Sequence, residues 1–183
     1  MASIWSFPTR IVFGPGEAGR TGEEALACGM RRALILTDAG VARAGLIEPV
    51  GQALARAGVE SSVFDGVEGN PTEGNIEDAV RAFASAGADG VVAIGGGSPI
   101  DAAKLVVLRA RVALPFEDLD DAVDGYRHIP PGLPPVIALP TTAGTGSEVG
   151  RSGVLTVRST GRKTVVFSPY LIPRVAILDP ELT

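Results

Sequence analysis

One cysteine and one histidine occur in the 183 residues, Cys28 and His128. A single thiol excludes an internal disulfide and fits a reducing, cytoplasmic setting; Cys28 itself reads as packing. A single imidazole excludes a multi-histidine metal site built by this chain alone, and His128, beside a proline-rich loop, reads as a surface residue. No Ser/His/Asp arrangement, C-x-x-C or H-E-x-x-H motif is present, so the usual nucleophilic, thiol-redox and zinc-hydrolase chemistries have no carrier. Aromatic residues make up only 5% of a chain that is 45% hydrophobic, so the core must be aliphatic. The net charge of −5 argues against a nucleic-acid surface. No apolar run approaches a membrane span, and the N-terminus has no basic-then-apolar signal pattern. The expectation is a soluble protein whose partner is neither nucleic acid nor membrane.

What is present is centred on Val91-Val92-Ala93-Ile94-Gly95-Gly96-Gly97-Ser98-Pro99-Ile100-Asp101-Ala102-Ala103-Lys104. Four apolar residues, three of them β-branched, predict a buried strand. Three glycines then let the backbone approach a ligand closely. Ser98 suits an N-cap, Pro99 the first helical position, and Asp101 falls three residues after that cap. A strand, a glycine turn and a helix N-terminus together make an anion cradle, because the first helical N–H groups have no partner within the helix. The spacing falls one short of G-x-G-x-x-G, and no Lys-Ser/Thr pair follows the glycines as in a Walker loop. Phosphate or nucleotide binding and a merely tight strand-to-helix turn both remain open on these residues alone.

Around this stretch the hydrophobic pattern alternates between strand and helix. Residues 4–14 read as extended edge structure, with Trp5 and Phe7, then Ile11 and Phe13, alternating around Pro8. Residues 17–29 read as a glycine-weakened helix burying Ala18, Ala25 and Leu26. Residues 33–38 form a strand ending in a carboxylate, and Ile47, Val50, Leu54 and Ala57 recur at helical spacing. Residues 61–64 form another strand, and Ile76, Ala79, Val80 and Phe83 mark the next helix. After the helix that runs on to about Arg109, residues 113–135 read as loop, acidic at 117–121. Residues 136–139 and 175–179 are further strands. A polar turn at 158–163 joins two β segments into a hairpin near 154–167. The βαβ repeats predict a parallel sheet with helices on both faces, in one domain spanning 1–183.

Ligands of such sheets lie beyond the carboxyl ends of the strands, where Asp38, the glycine turn and residues 141–147 all fall. Asp38 can accept from two ribose hydroxyls while repelling a 2′-phosphate, or it can cap the next segment. Thr141 and Thr142 can donate to phosphates or satisfy their own turn. Thr145 and Glu148 have capping-box spacing, which makes Glu148 structural. Asn70 precedes a proline and suits either a ligand contact or a turn. Lys163 reads as solvated in the hairpin turn, and Lys104 as projecting from its helix into solvent. The acidic run at 117–121 reads as an exposed loop.

Taken together, three segments resemble the N-terminal half of the iron-containing (group III) alcohol dehydrogenases: residues 95–104, the segment Pro140-Thr141-Thr142-Ala143-Gly144-Thr145-Gly146-Ser147-Glu148-Val149, and Leu178-Asp179-Pro180-Glu181-Leu182-Thr183. The resemblance implies a Rossmann-like α/β domain that binds NAD(H), within an enzyme interconverting alcohols and aldehydes or ketones by hydride transfer. It places Asp38 at the adenosine ribose, with NAD preferred over NADP. Asn70, Gly96, Gly97 and Ser98 match the pyrophosphate side, with Asp101 close behind. Thr141, Thr142 and Thr145 match the loop lining adenine and phosphates, Lys163 a lysine near the nicotinamide ribose, and Leu178 and Leu182 an approach from the last strand. It also implies pairing into homodimers through the N-terminal β segment. The resemblance further implies a metal, Fe²⁺ or sometimes Zn²⁺, held by an aspartate and three histidines in a C-terminal helical domain expected to lie outside these 183 residues, and implies that Asp179 is not that aspartate. The chain alone is therefore expected to hold cofactor without turning over alcohol. The competing readings are a stand-alone nucleotide-binding module and an oligomerisation scaffold that kept the fold.

Overall fold

The structure, a computed structural model, describes residues 8–183. The expected contributions of Trp5 and Phe7 to the first strand lie outside the described residues. Six strands form one parallel sheet: β1 (Arg10–Phe13), β2 (Arg32–Leu36), β3 (Glu60–Phe64), β4 (Gly90–Gly95), β5 (Val136–Pro140) and β8 (Val175–Leu178). Their order across the sheet is β1-β8-β5-β4-β2-β3. The hairpin stands apart as β6 (Ser152–Thr156) and β7 (Lys163–Phe167), paired antiparallel. Among the described residues five α-helices connect these strands: α1 (Thr21–Ala27), α2 (Ala39–Arg43), α3 (Ile47–Arg56), α4 (Glu73–Ser85) and α5 (Gly97–Arg109).

Strand side chains alternate between two aliphatic cores, as a sheet covered on both faces requires. Leu34, Leu36, Val91, Ala93 and Ala138 face α4 and α5. Ala33, Ile35, Val92, Ile94, Ile137 and Leu139 face α1 and α3. The long apolar runs of β2, β4 and β5 follow from this double coverage. Glu60, Ser61, Ser62 and Val63 are exposed because β3 is an outer strand.

The helices depart from expectation at three places. Residues 17–29 split into a 3-10 turn at Glu17–Arg20 and the short α1, and Leu26 is exposed while Ala25 and Glu24 are buried. Gly22 does not weaken this segment; it admits α3. A Cβ at Gly22 would lie 2.2 Å from the Ala53 carbonyl oxygen, so the helices cross in contact. Secondly, α5 is capped by Gly96, so Ser98 and Pro99 stand at its second and third positions. Thirdly, residues 141–149 contain no helix, and the expected capping box at Thr145 and Glu148 does not form; Thr145 Oγ1 instead accepts from the Ser147 amide at 3.4 Å. The stretch 113–135 carries three 3-10 turns, with Phe116 and Leu119 fully buried beneath the hairpin.

The hairpin covers the side of α5 that faces away from the sheet. Leu155, Val157 and Val166 join the same core as α5, and every residue from Ala102 to Leu108 is buried. Lys104 is therefore fully buried, contrary to its expected exposure. No helix among the described residues is long and apolar enough to cross a membrane.

Candidate functional site

Taken in chain order, β2, β3, β4, β5 and β8 lie in the order β3-β2-β4-β5-β8. The chain runs outward from β2 to β3 and then returns to the other side at β4, so the topological switch point lies between β2 and β4. In open α/β sheets this is where a crevice forms beyond the strand ends. Register pairs Leu36 with Ala93 and Gly95 with Pro140. Asp38, Gly95 and Pro140 consequently end three neighbouring strands at one level, and the side-chain hydroxyl of Thr37 donates to the Ile94 carbonyl at 2.7 Å.

Asp38 is half-buried and caps α2, its Oδ1 accepting from the amides of Gly40 at 2.8 Å and Val41 at 3.0 Å. Capping takes only one carboxylate oxygen, so it is compatible with a ligand on the other.

The glycine turn is shaped by contacts that only glycine allows. Gly95 has φ of +144°, and a Cβ there would meet Pro99 Cγ at 2.7 Å. At Gly96 a Cβ would lie 3.3 Å from Thr142 Oγ1, and at Gly97 3.1 Å from Thr145 Cγ2 and 3.4 Å from Ser147 Oγ. The hydroxyl-rich loop thus lies directly against the cradle, anchored where the Thr141 amide donates to the Gly95 carbonyl at 3.0 Å. The amides of Gly97 and Ser98, in the first turn of α5, have no acceptor within the helix, and the helix dipole adds partial positive charge there.

A cleft of about 420 Å³ opens beside this helix start. Gly97, Ser98, Asp101 and Thr145 form one wall; Asn70, Thr156 and Lys163 form the other. Asn70 has φ of +57°, a left-handed conformation that asparagine tolerates, and its Oδ1 accepts from Lys163 Nζ at 2.7 Å. Lys163 is thus the first residue of β7 and not a turn residue; it is exposed as expected, but it reaches the opposite loop. The spacing of the sequence carried no sign of this pairing across 93 positions. Ser147 and Ser152 also line the cleft; the first belongs to the hydroxyl loop already noted, while the second had no signal of its own.

A second, more apolar cleft of about 330 Å³ lies beyond Pro140 and includes Phe13, Thr142, Glu148 and Leu178. Leu182 lines neither cleft; it is buried in the core with Val12 and Ala18. Asp179 is structural, accepting from the amides of Gly16, Ala18 and Glu181 at 3.0, 2.8 and 3.0 Å. Behind the first cleft, Asp101 and Lys104 tie α5 to the hairpin. Lys104 Nζ donates to Asp101 Oδ1 at 3.3 Å and to the Ser152 carbonyl at 2.8 Å, while Asp101 Oδ2 accepts from the Val154 amide at 3.2 Å. Burial pushes the Lys104 ammonium below the ordinary lysine range, and the charges of Asp101 and Glu148 oppose that shift.

Known proteins share this architecture. A choline dehydrogenase from Bacillus subtilis is 36% identical over 178 residues, covering 97% of this chain and 44% of that protein. A crystal structure of a 1,3-propanediol oxidoreductase superposes with a TM-score of 0.91 at 35% identity, covering 99% of this chain and 47% of that one. A sulfoacetaldehyde reductase from Bifidobacterium kashiwanohense, solved in complex with NAD+, gives a TM-score of 0.89 at 33% identity, covering 100% of this chain and 47% of that one. The chain spans a little under half the length of these relatives. The family model for iron-containing alcohol dehydrogenase matches residues 8–180, and the chain belongs to that family.

Proposed function

We propose that this chain is the NAD(H)-holding part of a metal-dependent alcohol dehydrogenase that interconverts alcohols and aldehydes or ketones. The observation that carries the reading is the row of Asp38, Gly95 and Pro140 at the switch point, with the loop 141–147 against Gly96 and Gly97. A dinucleotide fits this arrangement. Asp38 would accept from the adenosine ribose, and its charge disfavours the 2′-phosphate of NADP. The amides of Gly97 and Ser98 would meet the pyrophosphate, supported by Thr142 and Thr145. Lys163 and Asn70 would orient the nicotinamide-side ribose, and Leu178 would offer an apolar contact near Thr142. When bound, the nicotinamide accepts or donates the hydride.

The metal has no comparable fit. Among the described residues no three His, Cys, Asp or Glu side chains come together to hold a metal ion. In this reading the parent enzyme's metal ligands, and with them substrate activation, belong to a second domain. Titration of the chain with NADH should give saturable fluorescence-detected binding, with weaker binding of NADPH. Absence of saturation would reject cofactor holding in favour of a scaffold. NADH formation from alcohol by this chain alone, with Fe²⁺ added, would reject the division of labour. We also propose homodimer formation through β1, an outer strand on which Ile11 and Phe13 are exposed. A sedimentation coefficient that stays monomeric at high protein concentration would rule that out.

A further inference from the structure

The cleft beside α5 has one acidic side chain among its lining residues, Asp101, the fifth residue of the helix whose N-terminus would take the pyrophosphate. A carboxylate there works against the role of the site, because it repels the anion that the free amides attract. Its side chain is mostly buried, so solvent screens it poorly. The carboxylate also has a fixed task, because Oδ2 holds the Val154 amide of the hairpin. The hairpin lies close against α5 at this point: a Cβ at Gly153 would lie 2.8 Å from Leu105 Cγ and 3.1 Å from the Asp101 carbonyl oxygen.

Lys104 stands one turn further along α5, fully buried, with its ammonium on Asp101 Oδ1 and the Ser152 carbonyl. Burying an ammonium is costly, and an aliphatic residue of similar length would pack the same space. Its position suggests what that cost secures. Resting on the proposed cofactor reading, we propose that Lys104 is a positioning residue for dinucleotide binding: its ammonium neutralises Asp101, so the carboxylate can hold the hairpin without repelling a diphosphate. The ligand chemistry is any diphosphate at the start of α5, and the lysine acts through Asp101 without touching the ligand.

The test is a set of titrations with NADH and, separately, with inorganic diphosphate, on the wild type, Lys104→Met, Asp101→Asn and the double variant, each at low and high salt. Lys104→Met should weaken both ligands about tenfold at low salt, and added salt should recover part of the loss. The double variant should recover to within about threefold of wild type, because the unpaired carboxylate is gone. Asp101→Asn keeps an amide oxygen for Val154, and should bind both ligands at least as tightly as wild type. That single variant decides the matter if Lys104→Met does not fold. A purely structural role for Lys104 predicts the opposite pattern: no rescue in the double variant, no salt effect, and weakened binding in Asp101→Asn. Any of these overturns the proposal. If the wild type binds diphosphate with this dependence on Lys104 but not NADH, the cofactor reading fails while the charge pairing stands. If the wild type binds neither, both fail.

Discussion

Lys163 and Asn70 are joined across 93 positions by a 2.7 Å hydrogen bond that closes the cleft between the hairpin and the loop before α4. Both side chains are exposed, so the bond adds little to folding and its value lies in orienting the groups. Lys163→Ala and Asn70→Ala should each raise the NADH dissociation constant roughly tenfold, in line with about 1.5 kcal/mol for a hydrogen bond to a charged group. Melting temperatures should change by no more than a degree or two. In a double-mutant cycle the two losses should be strongly non-additive; additive losses would show that the residues act separately.

Gly97 tests the cradle. A Cβ there meets Thr145 Cγ2 at 3.1 Å, and the further branches of valine would push the hydroxyl loop away from α5. Gly97→Val should abolish saturable NADH binding at concentrations that saturate the wild type, whereas Gly97→Ala should weaken it only several-fold. Far-UV circular dichroism should be unchanged in both. Wild-type affinity in Gly97→Val would remove this turn from the site.

Much of this arrangement was legible in the sequence. The alternation of aliphatic strands and amphipathic helices carries the sheet, because each element's burial is local to its own pattern. Asp38, the three glycines and the threonine loop were visible because each follows a strand end, where ligands of this fold collect. What escaped were consequences of contacts distant in the chain. Lys104 looks exposed on a helix considered alone, and becomes buried only because a hairpin 48 residues later lies over it. Gly22 looks like a helix breaker until α3 is seen to touch it. Leu182 follows a motif residue and yet packs inward, since a 3-10 turn at Pro180–Leu182 rotates it into the core.

Gly22 supplies a prediction on stability alone. A methyl group 2.2 Å from the Ala53 oxygen and 2.7 Å from Ala57 Cβ forces α1 and α3 apart. Overpacking of this kind costs roughly 1–3 kcal/mol, and about 2–4 °C of melting temperature accompanies each kcal/mol in a domain of this size. Gly22→Ala should therefore melt several degrees lower in a calorimetric scan, with NADH affinity unchanged at 25 °C. Unchanged melting would mean that the helices can separate freely.

Asp38 separates capping from cofactor choice. Asparagine caps a helix about as well as aspartate, whereas alanine loses about 1 kcal/mol. Asp38→Asn should keep the melting temperature and raise NADPH affinity relative to NADH by tenfold or more, through loss of the repelling charge. Asp38→Ala should show the same change in preference and also melt lower. If the asparagine variant discriminates against NADPH as strongly as the wild type, the carboxylate is a cap and nothing more.

Alkaline titration distinguishes the charge pairing around Lys104 from general loosening of the fold. Burial places the Lys104 ammonium below the ordinary lysine value, with Asp101 and Glu148 acting in the other direction. Between the lowered value and the unfolded one, about 10.4, the unfolded chain holds more protons than the native one, so unfolding free energy gains with rising pH from this group. Cofactor affinity should move oppositely: once the ammonium is neutral, Asp101 is uncompensated and NADH binding weakens. The comparison is with Asp101→Asn, in which every other contribution persists and that of the pair does not. The difference between wild type and Asp101→Asn should show affinity falling with pH, and the difference between wild type and Lys104→Met should show stability rising. A fold that merely loosens at alkaline pH would lower both quantities together.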